Sequence, residues 1–114
     1  MRVHEYINAH FREPITVGGL ALRFFMDKNT MTRQFKRIAG MTPGDYIRRK
    51  RLESAYNLIR QGYSVQQAGL VSGFTDYSAF YRAFRQRYGL SPGDLSSRIR
   101  SGPRKTSAQE GGTA

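Results

Sequence analysis

The chain has 114 residues, a net charge of +11, a hydrophobic content of 39% and no cysteine. That length suits one domain with a real core. No apolar run approaches the ~20 residues that cross a bilayer, and without thiols neither a disulfide framework nor a thiolate metal site can form. No secretory leader is legible after Met1, so a cytoplasmic protein is expected. The excess of positive charge points to a polyanionic partner or a membrane surface. Arg supplies 15 of the 19 cations, which favours forked recognition of phosphate and guanine over point charge.

Helical periodicity runs through the chain, punctuated by Gly and Pro. Val3, Tyr6, Ile7, His10 and Phe11 share one face of a first helix that ends at Pro14. Thr16 caps a second helix whose expected core residues are Leu20, Leu22 and Phe24, with Gly18 and Gly19 weakening its first turn. Asp27 caps a third, over about 28–38, with Met31, Phe35 and Ile38 expected inward and Gly40 as a left-handed stop. Thr42-Pro43 opens a long helix to about Gln61, with an apolar stripe of Ile47, Leu52, Ala55, Leu58 and Ile59. Ser64-Val65-Gln66-Gln67 matches a capping box for a short fifth helix, which Gly73 breaks. Asp76, or Thr75 beside it, caps a sixth through about Tyr88, with Ala79, Phe80, Ala83 and Phe84 inward. Ser91-Pro92 starts a last short helix to about Ile99, and 100–114 read as a disordered basic tail.

A repeat runs through this pattern. Asp27, Arg33, Phe35, Gly40, Thr42, Pro43, Gly44 and Asp45 recur 49 positions on as Asp76, Arg82, Phe84, Gly89, Ser91, Pro92, Gly93 and Asp94. Half a chain this small is marginal as an independent fold, so the two halves should share an element, the long middle helix. The expected fold is all-α: two helix–turn–helix subdomains, over about 16–38 and 64–88, joined by a linker helix over about 43–61, with about seven helices within 1–99. Two heads on such a spacer could reach successive major grooves on one face of DNA, whose helical turn is ~34 Å.

In a helix–turn–helix unit the outward face of the second helix meets base edges. The inward residues leave Asn29, Thr32, Arg33 and Lys36 outward in the first copy, and Tyr77, Ser78, Tyr81, Arg82 and Arg85 in the second. Arg can fork onto guanine, Asn can bond adenine in two places, and Lys neutralises phosphate. The duplicated Arg33 and Arg82 are the strongest candidates. Tyr77 and Tyr81 stand open between base reading and packing with a wet hydroxyl. Arg48, Arg49 and Lys50 suit a solvated or phosphate-facing stripe, and Arg51, beside Leu52, an internal ion pair.

Catalysis has no support. His4 and His10 fall on different helix faces and cannot share a metal, the acids sit mostly at caps and helix ends, and no phosphate-cradling Gly loop occurs. Neither a cofactor nor a small-molecule effector site is evident.

With these residues laid out, the chain resembles the DNA-binding domain of the AraC/XylS family of bacterial transcription regulators. The likeness rests on Ser64-Val65, on Gly73-Phe74-Thr75-Asp76-Tyr77-Ser78-Ala79-Phe80-Tyr81-Arg82-Ala83-Phe84-Arg85 and on Gly89-Leu90-Ser91-Pro92. In the first half Leu20-Ala21, Phe35-Lys36 and Gly40 carry it, followed by Tyr46-Ile47, Arg51-Leu52 and Ala55. It covers residues 3 to about 99. The resemblance implies a regulator of promoters, an activator in most members, that inserts two recognition helices into adjacent major-groove segments. It also implies RNA polymerase as a second partner. In this size range it suggests either a small stand-alone member, monomeric and resembling MarA-like proteins, or a fragment of a longer regulator. The resemblance further suggests a structural Arg51–Asp76 pair. Phe25-Met26, Ala68-Gly69 and Leu95-Ser96 depart from the family pattern, which has Gly in the first turn, Ile-Ala in the fifth helix and Tyr-Arg near the end. Two rival readings are a charge-driven architectural DNA binder and a module whose main partner is RNA polymerase.

Overall fold

The computed structural model describes residues 2–101; the tail expected beyond them lies outside the described residues. The described residues form seven α-helices and no strand: α1 (Val3–His10), α2 (Val17–Arg23), α3 (Lys28–Ala39), α4 (Pro43–Arg60), α5 (Val65–Val71), α6 (Tyr77–Tyr88) and α7 (Pro92–Ser101). The body is elongated, 54 × 24 × 23 Å. Its two lobes share α4, whose 18 residues make a rod of about 27 Å.

Side-chain caps set most helix starts. Thr16 Oγ1 accepts from the Gly19 N–H at 2.9 Å and Ser64 Oγ from the Gln67 N–H at 3.1 Å. Asp27 accepts from the N–H groups of Asn29 and Thr30, and Asp76, rather than Thr75, accepts from that of Ser78. Gly40 and Gly89 end α3 and α6 at φ 81° and 77°, each donating to the carbonyl four residues back at 2.8 Å. At the head of α7 the Ser91 hydroxyl accepts from the Asp94 N–H while Asp94 accepts from the Ser91 N–H. Hydrogen bonding from the Ser91 backbone N–H, and next from the Ser91 side chain, holds the Asp94 carboxyl below the usual carboxylate range.

The spacing between copies is not constant. From α2 to α5 the hydrogen bonds repeat at 48 residues: Met26 N–H to Ala21 O becomes Phe74 N–H to Gly69 O. From α3 to α6 they repeat at 49, Met31 N–H to Asp27 O becoming Phe80 N–H to Asp76 O. Thr75 is the extra residue, so Phe25 is the counterpart of Gly73 and Leu22 that of Leu70.

Each lobe has its own core. Lobe 1 buries Ile7, Phe11, Leu20, Ala21, Met31, Phe35 and Ile47; lobe 2 buries Leu52, Ala55, Ile59, Ala68, Phe80, Phe84 and Leu95. The volume that Ala68-Gly69 leaves out of α5 is taken by a ring: a Cβ on Gly69 would stand 3.0 Å from two Phe80 ring carbons. Phe80 in turn packs edge-on to Phe84 and tilted against Phe74.

Two inward assignments fail. Leu22 and Ile38 are each 80% exposed. Leu22 lies on the outer face of α2 once Leu20 and Ala21 turn inward, and no described helix lies over Ile38 at the end of α3. The expected Arg51–Asp76 pair does not form either. The Arg51 guanidinium donates instead to the carbonyls of Phe11 at 2.7 Å and Glu13 at 2.8 Å, while Asp76 is engaged as the α6 cap. Arg12 reaches Ser54, which bonds Ser72, so arginines from α4 and the end of α1 tie both lobes together. These ties explain Gly73: a Cβ there would meet Arg51 Nε at 2.8 Å and the Phe11 carbonyl oxygen at 3.1 Å.

Candidate nucleic-acid interface

The inward residues of α3 and α6 decide what each helix offers to solvent. With Met31 and Phe35 buried, Asn29, Arg33 and Lys36 are exposed and Thr32 is half-buried on the flank. With Phe80 and Phe84 buried, Tyr77, Ser78, Tyr81, Arg82 and Arg85 are exposed. Each helix therefore brings its candidate residues onto one solvent-facing surface. Both helices also begin with a carboxylate that occupies the first free N–H groups, which leaves side chains rather than the helix end to make contacts.

The ion pairs separate structural cations from available ones. Arg48 pairs with Asp45, and Arg49 and Arg87 both reach Glu53. Arg33, Lys36 and Arg82 take part in no ion pair among the described residues. Such uncompensated, solvated cations suit phosphate or guanine. Arg85 is close enough to Asp94 to help lower its pKa, so part of its charge serves the fold. Tyr77 meets the Phe80 ring edge-on at 6.0 Å and stands 6.5 Å from Tyr81. Both tyrosines are exposed; Tyr77 leans on the buried Phe80 ring, which accommodates packing and contact together, and Tyr81 stands beside Tyr77.

Between the lobes lies an open cleft of about 490 Å³ bordered by Arg48, Arg51 and Arg82, with no carboxylate in its lining. Burial lowers the pKa of Arg51, which still stays charged at neutral pH. The clustering of these three arginines was not read from the sequence. They come from α4 and α6, and their meeting depends on how α4 crosses the second lobe. Among the described residues no group of three or more His, Cys, Asp or Glu could hold a metal, and no helix is long and apolar enough to cross a membrane.

Residues 20–98 match the family described as a helix-turn-helix domain. The chain is 34% identical to the HTH-type transcriptional activator RhaS of Escherichia fergusonii over 79% of this chain and 33% of that protein. It thus spans about a third of the length of the curated relatives it matches. A probable AraC family transcriptional regulator from Rhodopseudomonas palustris superposes with a TM-score of 0.76 at 31% identity, covering 86% of this chain and 94% of that one. The DNA-binding domain of AdpA, solved in complex with a target DNA, superposes with a TM-score of 0.82 at 27% identity, covering 92% and 95%. With two capped helix–turn–helix lobes on one linker helix and these relatives, the chain belongs to the AraC/XylS family of helix-turn-helix DNA-binding domains.

Proposed function

We propose that this chain reads an asymmetric site on double-stranded promoter DNA and, within its regulator, activates transcription. Asn29, Thr32 and Arg33 read one major-groove segment, and Tyr77, Ser78, Tyr81 and Arg82 the next. Lys36 and Arg85 neutralise phosphate. The observation that carries this reading is the contrast between the two exposed faces. They share one arginine at equivalent places and differ at every other candidate position, so two unlike half-sites are specified. The likeness to RhaS, which is named an activator, supports the sense of regulation, with RNA polymerase as the second partner. The chain acts as a monomer, because its two lobes already supply two heads.

Selection from random duplexes tests this. Recovery of one asymmetric site with two motifs about one helical turn apart is expected. Random recovery with only a steep salt dependence would show a charge-driven binder instead.

A further inference from the structure

The cleft between the lobes gathers positive charge without a counter-charge. Its lining joins the start of α2 (Thr16 and Val17), the first half of α4 (Gly44, Arg48 and Arg51) and the flank of α6 that carries Arg82. The two helix starts approach closely there: a Cβ on Gly44 would stand 3.7 Å from Val17 Cγ2. Arg51 is half-buried and takes part in no ion pair among the described residues. Its Nε and Nη2 donate to the Phe11 and Glu13 carbonyls, which orient the guanidinium but leave its full charge uncompensated. Arg82 is likewise unpaired among the described residues. Arg48 meets Asp45 at 3.2 Å with both side chains 56% exposed, and Asp45 lines a separate cleft. So exposed a pair contributes little, and Arg48 can exchange that carboxylate for another anion. Three like charges brought to one cleft repel one another, and a bound anion removes that cost.

We infer that Arg48 and Arg51 hold a backbone phosphate of the DNA between the two half-sites, and that this contact fixes the spacing at which the two heads read. The inference rests on the reading proposed above, in which α3 and α6 enter adjacent major-groove segments. The backbone between those segments then faces the junction of the lobes. The cleft is open and continues through Arg82 onto the exposed face of α6. That shape suits one phosphate of a passing backbone better than an engulfed small molecule. Arg51 supplies the fixed charge, Arg48 the mobile fork, and Arg82 leaves the mouth toward base edges. Because Arg51 belongs to α4 and is anchored to the chain at Phe11 and Glu13, a phosphate held here is registered against both lobes at once.

The test uses the whole chain and the duplex recovered by selection, with each phosphate between the two motifs replaced in turn by a neutral methylphosphonate. One such replacement, beside the half read by α6, should weaken native binding about tenfold. Arg48→Gln should weaken binding of the unmodified duplex by a similar factor, lower the salt slope by about one, and lose nothing more at that phosphate. This variant should also tolerate one added base pair between the motifs better than the native chain does. Arg48 is exposed, so the variant should fold, and its unchanged far-UV spectrum checks that. Arg49→Gln removes the same charge one residue away, from a side chain paired with Glu53, and should keep the full sensitivity to the methylphosphonate. Losses from Arg48→Gln that simply add to those of every methylphosphonate overturn the inference while the asymmetric site stands. Failure to recover any site overturns both. Inorganic phosphate that shifts the Arg48 amide saturably at constant ionic strength, without coupling to a methylphosphonate, assigns the cleft to a free anion and overturns the DNA contact.

Discussion

The two lobes perform one architectural task with different materials. Lobe 1 packs Leu20 and Ala21 of α2 against Met31; lobe 2 packs Ala68 and Gly69 of α5 against Phe80. Small residues on one helix are matched by a larger ring on its neighbour, so a turn with the same backbone hydrogen bonds is built over an aliphatic and over an aromatic core. The turns differ in the opposite sense. Gly73 sits under the Arg51 guanidinium and the end of α1, where no side chain fits. Its counterpart Phe25 holds a left-handed φ of 55° with its ring 96% exposed. A fold repeated twice thus constrains the spacing of its caps far more tightly than the composition of its core.

Forcing one lobe's chemistry onto the other should break this balance in graded steps. The largest effect is expected from Gly73→Ala, which adds a Cβ 2.8 Å from Arg51 Nε at a φ of 108°. Strain and overpacking together should cost about 2–4 kcal/mol in urea unfolding. A change within error would show that α1 and Arg51 yield freely there. Gly69→Ala, the residue found at position 21, should cost about 1–2 kcal/mol, less than its steric conflict alone because Ala favours helix. Combined with Phe80→Met, the residue pair of lobe 1, it should be better tolerated than on the native background. A double-mutant cycle showing no coupling would remove the compensation between α5 and α6. The smallest effect is a gain. Phe25→Gly should stabilise by about 0.5–1 kcal/mol, as a strained left-handed residue is relieved and no buried contact is lost. Destabilisation would mean that the exposed ring has a packing role.

Local signals made most of this fold legible. Thr16, Asp27, Thr42, Ser64 and Asp76 announce helix starts through short-range hydrogen bonds, and Gly40 and Gly89 announce stops through their backbone freedom. Those effects act within a few residues and leave a mark in the sequence. Ile38 was misplaced because periodicity shows which side of a helix is apolar and not whether a neighbour covers it. Arg51 was misassigned for a related reason. Its partners are backbone carbonyls of Phe11 and Glu13, which every sequence possesses. The one-residue insertion at Thr75 stayed hidden because the matching residues lie mainly after it, in α3 and α6 and the turns that follow them. The candidate reading faces followed from the cores of α3 and α6, since Met31, Phe35, Phe80 and Phe84 are buried as their spacing requires.

The central claim is that the two lobes read different base sets through equivalent helices. Comparing sites selected by the native chain, Arg33→Ala and Arg82→Ala at fixed salt tests it most directly. Each variant should lose about 1–3 kcal/mol on the native site and relax base preference in one half only, the half differing between the two variants. Uniform weakening across all sequences in both variants, with base preferences intact in both halves, would reduce the two arginines to phosphate contacts and contradict the account.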